Sequence, residues 1–134
     1  MALFVVDYSR EHYEKRAGGP APPERHGKFI QVRGGDAEYL VFSIRELHRY
    51  HADIARTFLA SRGVRGAYNQ PRHRFESREA GWRVLGGGLW SVDEGRKVLE
   101  LSGNSSAYGK YRTEGLAAGL RRVEGLGDYT IVVK

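Results

Sequence analysis

The order of short strand-like and helix-like segments is the feature that most constrains how this chain folds. Two strand patterns, residues 28–32 and 38–42, precede a helix pattern at 44–62. Further strand patterns follow, and then come a second helix pattern at 113–124 and a closing strand at 129–133. Strands and helices in this order pack as a sheet covered by helices. The sequence therefore predicts an α/β (α+β) fold, a single mixed β-sheet flanked by two helices, one on each face.

Local signals define the first helix and the glycine-rich strands. Residues 43–46 have the Ser-x-x-Glu spacing of a capping box, and apolar residues recur behind them at a helical period until Gly63. Residues 82–85 and 89–92 have strand patterns, and we expect the three glycines at 86–88 to join them. Residues 64–81 have only the pattern of a loop or an edge strand.

The chain of 134 residues is long enough for one domain of ordinary size. Residues 1–27 have the least regular pattern and include the segment Gly-Gly-Pro-Ala-Pro-Pro at 18–23. Proline and glycine at this density are typical of a loop. We therefore expect an N-terminal arm or extension over residues 1–27 and a single domain over 28–134.

Composition excludes several classes of site. Because the chain has no cysteine, disulfide scaffolds, thiolate zinc sites, iron–sulfur clusters and cysteine nucleophiles are excluded. Lys and Arg number 22 against 16 Asp and Glu, and the net charge of +6 favours an anionic partner such as nucleic acid, phosphate or a phosphorylated protein. The early apolar run at residues 2–6 is far shorter than the roughly 20 residues of a membrane-spanning helix. We expect a cytoplasmic protein without membrane contact.

Two histidines are candidate chemical groups. On a helix that begins at residue 44, His51 lies in the middle of the apolar face, where a neutral imidazole can act as a base. A buried histidine with one satisfied hydrogen bond fits the same pattern. His48 lies three residues earlier and on the same helix face, which is the start of a zinc site only if a third ligand joins them.

Small residues at 103–109 follow a strand and precede a helix, so their backbone N–H groups can converge on a phosphate or form a plain turn. The aromatic residues are candidates for stacking on nucleic-acid bases or for the core. Those considered are Tyr8, Phe29, Phe42, Trp82 and Trp90.

Taken together, three segments resemble the small phosphohistidine phosphatase family, which is related to the janus and ocnus proteins. They are Tyr-His-Ala-Asp-Ile at 50–54, Leu-Gly-Gly-Gly at 85–88, and Gly-Asn-Ser-Ser-Ala-Tyr-Gly at 103–109. Lys28, at the head of a strand, also fits the family, and the resemblance covers residues 27–134.

The resemblance implies hydrolysis of the P–N bond of phosphohistidine without a metal or other cofactor. It implies that His51 is the catalytic residue, as general base or nucleophile, and that Lys28 binds the phosphate. The implied phosphate loop corresponds to Ser105 and Ala107, and the residues that flank the histidine are Tyr50 and Ala52. A phosphorylated protein or a small phosphoramidate is the implied substrate.

The chain departs from the family at two cations. Where the family has arginine, this chain has Leu89 after the glycines and Ser43 eight residues before His51. Arg45, Arg83 and Lys110 are candidates to replace them. These departures leave two alternatives, a non-catalytic module of the same fold that binds phosphate or a phosphoprotein, and, with less support, a nucleic-acid-binding domain.

Overall fold

The computed structural model describes residues 2–71 and 73–134, and within these ranges the chain forms three helices and eight strands. The helices are α1 (Tyr8–Ala17), α2 (His51–Ser61) and α3 (Leu116–Arg121). The strands are β1 (Ala2–Asp7), β2 (Glu24–Gly34), β3 (Ala37–Phe42), β4 (Gly66–Tyr68), β5 (Phe75–Ser77), β6 (Trp82–Asp93), β7 (Val98–Ser102) and β8 (Thr130–Val133).

Six strands form one mixed sheet in the order β1-β3-β2-β6-β7-β8. The inner pairs are antiparallel, whereas β1 runs parallel to β3 and β8 runs parallel to β7 at the two edges. β4 and β5 form a separate two-stranded sheet. The α+β class and the mixed main sheet are confirmed. The expected number of helices, two, is wrong because the N-terminal segment contributes α1.

Each face of the sheet carries its own apolar cluster, since successive strand residues point to opposite faces. Phe29 and Phe42 pack in one cluster with residues of α3. Ile30 and Val41, their neighbours in sequence, pack in the other cluster with residues of α2. We call these two sides the α3 face and the α2 face.

α2 begins seven residues later than the sequence predicts, at His51 instead of at residue 44. The groups of Ser43 that a capping box requires have other partners. Its N–H donates to the Lys28 carbonyl at 3.0 Å, its carbonyl accepts from Trp90 Nε1 at 2.8 Å, and its hydroxyl lies 2.6 Å from His48 Nδ1. Ser43 therefore does not cap a helix, and the predicted capping box is wrong.

β6 is one continuous strand, where the three glycines predicted a connection between two strands. A methyl group at Gly86 would lie 2.4 Å from the Lys110 carbonyl oxygen, and one at Gly88 would lie 2.4 Å from the Ser102 carbonyl oxygen. These glycines are strand positions at which other backbone packs closely.

The N-terminal residues belong to the main sheet. β1 pairs with β3 from Ala2 opposite Ala37 to Asp7 opposite Phe42, and the Asp7 side chain then caps α1. The boundary expected between residues 27 and 28 falls inside β2, so the chain is not divided there. The expected arm is instead an edge strand and a helix.

Arg25 connects this N-terminal unit to β6. Its side chain is 3% exposed and forms ion pairs with Asp7 at 3.1 Å and Glu94 at 2.6 Å. Nε donates to Ser9 Oγ at 2.9 Å, and a terminal nitrogen donates to the Pro22 carbonyl at 2.6 Å. The guanidinium group thus joins β1, α1 and the end of β6 in one hydrogen-bond network.

The C-terminal elements are shorter than predicted. α3 spans Leu116–Arg121 and not 113–124, because the preceding Gly115 adopts a left-handed conformation with φ of 71°. β8 closes the sheet at Thr130–Val133, as the strand pattern predicts to within one residue. Among the described residues, no helix has both the length and the apolar character needed to cross a membrane.

We expect Arg25→Ala to lower the free energy of unfolding by about 3–5 kcal/mol, because it leaves two partly buried carboxylates without their shared cation. Arg96→Ala is the matched control, since Arg96 is 85% exposed in its pair with Asp93, and exposed pairs contribute about 0–1 kcal/mol. Urea denaturation measures both changes. Equal effects of the two substitutions would contradict the structural role of Arg25.

The ion-pair network around Arg25 also predicts that the free energy of unfolding depends on pH. Burial tends to raise the pKa of Glu94, but hydrogen bonds from Arg25 and Arg10 outweigh it and hold that pKa below its ordinary value. The ionised form is therefore favoured in the folded state. This contribution to stability is present above the ordinary glutamate pKa and is lost as the pH falls below it.

Candidate functional site around His51

His51 is the first residue of α2 and is 7% exposed. Its Nε2 lies 2.9 Å from the carbonyl oxygen of Gly88. Because a carbonyl only accepts, Nε2 carries the proton of the neutral ring and Nδ1 holds the lone pair. Nδ1 has no hydrogen-bond partner among the described residues. The ring therefore has one anchored nitrogen and one nitrogen available for chemistry.

Gly87 provides the space for this ring. A methyl group at Gly87 would lie 2.9 Å from His51 Cδ2, 2.7 Å from the Phe29 carbonyl oxygen and 3.2 Å from Ser105 Cβ. Cδ2 and Nε2 are neighbouring atoms, so this edge of the imidazole faces β6. Nδ1 lies on the opposite edge of the ring.

Burial lowers the pKa of His51 below its ordinary value, and the charge of nearby Lys28 lowers it further. The Gly88 carbonyl raises the pKa, because its partial negative charge stabilises the protonated ring more than the neutral ring. The net shift is downward from 6.5. The imidazole is consequently neutral at pH 7, which is the form that a base or nucleophile needs.

An open cleft of about 730 Å³ lies at the N-terminal end of α2. Its lining residues are Lys28, Tyr50, His51, Ala52, Asp53, Tyr68, His73, Leu89, Asn104, Ser106 and Ala107. Lys28 is partly buried and forms no ion pair with the described residues. The cleft therefore contains a cation without a carboxylate partner.

The first turn of α2 supplies N–H donors to the cleft. The N–H groups of Asp53 and Ile54 donate to the Tyr50 carbonyl at 3.1 and 3.3 Å. Those of His51 and Ala52 have no acceptor in the described part of the chain, and Tyr50 provides no side-chain cap. Free N–H groups and the positive end of the helix dipole together favour an anion.

The loop after β7 supplies further donors, though not all of those expected. The Ser105 N–H donates to the Gly109 carbonyl at 3.2 Å, so it is not free. Ser105 Oγ accepts from the Tyr108 N–H at 3.1 Å, which fixes the turn. The N–H groups of Ser106 and Ala107 have no protein acceptor within residues 2–71 and 73–134. Ser105 is buried and does not line the cleft, whereas its neighbours Ser106 and Ala107 do.

The structure thus brings Lys28, Tyr50, His51, Ala52 and Ala107 to one cleft. The proposed replacement cations lie elsewhere. Arg45 lines a neighbouring groove and Arg83 lines a separate depression, while Lys110 Nζ donates to the carbonyls of Gly103 and Lys134. Where the family has arginine, Ser43 is buried and Leu89 is a 48% exposed apolar side chain on the wall of the cleft.

The β4–β5 hairpin contributes residues that the sequence analysis missed. Its connection places His73 at the cleft, and Tyr68 donates to Asp53 Oδ1 at 2.7 Å. The helical pattern indicated only that Asp53 lies on a charged face. Nothing in the loop-like pattern of residues 64–81 indicated an approach to α2.

The zinc hypothesis does not fit this geometry. His48 lies outside α2, and its two ring nitrogens are 2.6 Å from Ser43 Oγ and 2.9 Å from Thr57 Oγ1. Among the described residues, no group of three or more His, Asp or Glu side chains is arranged to hold a metal ion.

Comparison with known proteins does not assign the chain to a family. No protein-family model matches it, and no curated protein is significantly similar to it.

We expect the imidazole of His51 to titrate with a midpoint below 6.5, because burial is the largest influence on its pKa. Nitrogen-15 NMR should also show the Nε2–H tautomer at pH 7. Since the folded protein binds the proton less well than the unfolded chain, the associated stability falls as the pH drops through 6.5. A midpoint above that value, or the Nδ1–H tautomer, would contradict this arrangement.

We expect inorganic phosphate to bind in the cleft and to shift the amide resonances of His51, Ala52, Ser106 and Ala107. Lys28→Ala should weaken this binding by about tenfold or more, and Lys28→Arg should restore part of the loss by keeping the charge. Lys15→Ala is the control, because Lys15 is an exposed lysine of α1. Amide shifts that are unchanged in Lys28→Ala would remove Lys28 from the site.

Proposed function

We propose that this protein is a metal-free phosphohistidine phosphatase that hydrolyses the P–N bond of phosphohistidine. The observation that supports this proposal most strongly is the ring of His51, which is anchored through Nε2, has no partner at Nδ1 among the described residues, and lines the same cleft as Lys28 and the first turn of α2. Under this proposal the protein is cytoplasmic and acts on phosphorylated proteins or small phosphoramidates. It agrees with the resemblance of residues 50–54, 85–88 and 103–109 to that family.

The chemistry needs few groups. The phosphorus–nitrogen bond breaks, its electron pair goes to the leaving imidazole nitrogen, which takes up a proton, and a new bond forms from water oxygen to phosphorus. His51 Nδ1 either removes the proton from that water or attacks phosphorus to form a phosphorylated enzyme that water then hydrolyses. Both routes use the same lone pair, and both require the neutral imidazole.

The remaining groups handle charge. The phosphoryl oxygens carry negative charge in the transition state, and a pre-arranged cation and N–H groups lower its energy. Lys28 provides the cation. Ala52, Ser106 and Ala107 provide N–H groups without protein acceptors in the described chain. Tyr50, which is 57% exposed beside the cleft, is positioned to contact the substrate around the phosphate.

A second candidate is a phosphate- or phosphoprotein-binding module of the same fold without catalysis. The apolar Leu89 on the cleft wall favours it, because the cleft then has one fewer cation for a phosphoryl transition state than the family pattern provides. A nucleic-acid-binding domain has less support. Phe29, Phe42 and Trp90 are buried core residues and are not available for stacking on bases.

We expect His51→Gln to fold and to lose at least about a hundredfold in the rate of phosphohistidine hydrolysis, since a general base typically contributes 10²–10⁴-fold. Glutamine keeps an N–H that can donate to the Gly88 carbonyl but has no basic nitrogen. His48→Gln is the matched control, because His48 is also hydrogen-bonded and lies outside this cleft. A folded His51→Gln protein with most of its turnover would refute the assignment.

The same assay tests the alternatives. The wild-type rate should rise with pH through an apparent pKa below 6.5, and that acid limb should be absent from residual activity of the variant. Prolonged chelation should leave the rate unchanged. Phosphate binding without turnover would favour the binding module, and affinity that grows with oligonucleotide length and falls steeply with salt would favour the nucleic-acid domain.

A further inference from the structure

We propose that His73 is a second catalytic histidine of the cleft, which donates the proton that the leaving imidazole takes up when the P–N bond breaks. This inference rests on the proposed function, because it adds a general acid to that reaction. It gives a role to the β4–β5 hairpin, which lies outside the three segments that resemble the phosphatase family.

Hydrolysis of phosphohistidine needs a proton donor on the leaving-group side of phosphorus. An imidazole that departs without a proton is an unstable anion, so the P–N bond breaks readily only when the ring is protonated as it leaves. His51 does not supply this proton, because its Nε2–H faces the Gly88 carbonyl at 2.9 Å and its Nδ1 acts on the nucleophile side. A positioned acid typically contributes about 10²–10⁴-fold to the rate of such a step.

The hairpin that carries His73 is held against both anion-binding elements of the cleft. On one side, Tyr68 donates to Asp53 in the first turn of α2 at 2.7 Å. On the other side, the Tyr108 hydroxyl of the loop after β7 accepts from the Phe75 N–H and donates to the Phe75 carbonyl, each at 2.7 Å. Phe75 is buried in the apolar cluster of the α2 face. The hairpin is therefore a fixed wall of the cleft.

The turn between β4 and β5 fixes the backbone of His73. Asn69 Oδ1 accepts from the N–H groups of His73 and Arg74 at 2.8 Å each, and the Asn69 N–H donates to the Arg74 carbonyl at 2.9 Å. The imidazole of His73 lines the cleft and has no hydrogen bond or ion pair among the described residues. The backbone thus places at the cleft a ring whose nitrogens are not used within the described chain.

The two histidines lie at different depths of the cleft. His51 is 7% exposed and lies beside Gly87 of β6, whereas His73 is exposed. A phosphate at Lys28 and the N–H groups of α2 leaves the substrate imidazole toward the open mouth of the cleft, where the rest of the substrate remains. In-line displacement places the attacking and leaving groups on opposite sides of phosphorus. A lone pair at the floor and a proton donor at the mouth fit that arrangement.

Histidine is the side chain of the cleft best suited to donate this proton, because it gains and loses protons between about pH 5 and 8. Lys28 and Tyr50 also line the cleft, but amines and phenols are in general much weaker acids than imidazolium. The Tyr68 hydroxyl already donates to Asp53.

The step is balanced in protons and electrons. His73 transfers a ring proton to the substrate imidazole, and the electron pair of the P–N bond goes to that imidazole, which departs neutral. The phosphoryl group passes to water, either directly with His51 as base or through a bond to His51 that water then hydrolyses. Because His73 is exposed, it regains its proton from water before the next turnover.

The test compares two substrates that differ in whether the leaving group needs a proton. Phosphohistidine needs one, whereas N-phosphoryl-N′-methylimidazolium carries a permanent positive charge and releases neutral methylimidazole without one. We expect His73→Gln to lower kcat for phosphohistidine by about a hundredfold or more and to change kcat for the methylated substrate by less than about threefold. His26→Gln is the matched control, because His26 is also exposed and lies outside the cleft, and it should change neither rate.

Two results would overturn the assignment of His73. One is an equal loss on both substrates, or no loss on either, in His73→Gln. The other is a loss confined to phosphohistidine in Tyr50→Phe but not in His73→Gln, which would assign the proton to the tyrosine. The melting temperature of His73→Gln should match that of the wild-type protein, since an exposed side chain is replaced.

His51→Gln separates this inference from the proposed function. It should lower the rate for both substrates, because both need the lone pair of His51. A wild-type protein that hydrolyses neither substrate would overturn the proposed function and the role of His73 together. A wild-type protein that hydrolyses both, with a His73→Gln variant that shows no selective loss, would overturn the role of His73 alone.

Discussion

The contact between the ring of His51 and the bare backbone of β6 determines the geometry of the whole candidate site. Gly87 lies at the meeting point of three segments, because a methyl group there would contact the Phe29 carbonyl of β2, the His51 ring of α2 and the Ser105 side chain of the loop after β7. A side chain there would have to displace backbone on one side or the imidazole on the other. One small residue thus allows a helix and a loop from distant parts of the sequence to meet on a central strand.

The late start of α2 produces the N–H donors of the cleft. In a helix that began at residue 44, the N–H groups of His51 and Ala52 would donate to the carbonyls of Leu47 and His48. They would be unavailable to an anion. Ser43 prevents this because its backbone pairs with Lys28 and Trp90. The helix is also too short to cover the strands beyond Gly87, which leaves the cleft uncovered.

The sequence predicted the structure well where only one pattern applied to a segment, and poorly where two patterns, such as helix capping and strand pairing, applied to the same residue. Strand patterns predicted the sheet, and the motif at 50–54 identified His51 in either helix register. The capping box failed because Ser43 bonds to Lys28, Trp90 and His48 instead, and propensity cannot show these contacts. The ion-pair network of Arg25 and the approach of His73 depend on contacts between segments far apart in sequence. Neither leaves a periodic signal.

Arg25 and Lys28 illustrate how one strand uses two cations in opposite ways. Arg25 is surrounded by carboxylates that cancel its charge, so it is a structural link. Lys28 forms no ion pair with the described residues and lines the cleft with His51, and the Asp53 carboxylate of that cleft accepts a hydrogen bond from the Tyr68 hydroxyl.

The uncompensated charge of Lys28 has two effects that support each other. Under the proposed function it attracts the phosphate, and it helps to lower the pKa of His51. A bound phosphate acts on His51 in the opposite direction, because a nearby anion stabilises the protonated ring. Under the proposed function, Lys28 would offset part of this upward shift of the His51 pKa, because its positive charge disfavours the protonated ring.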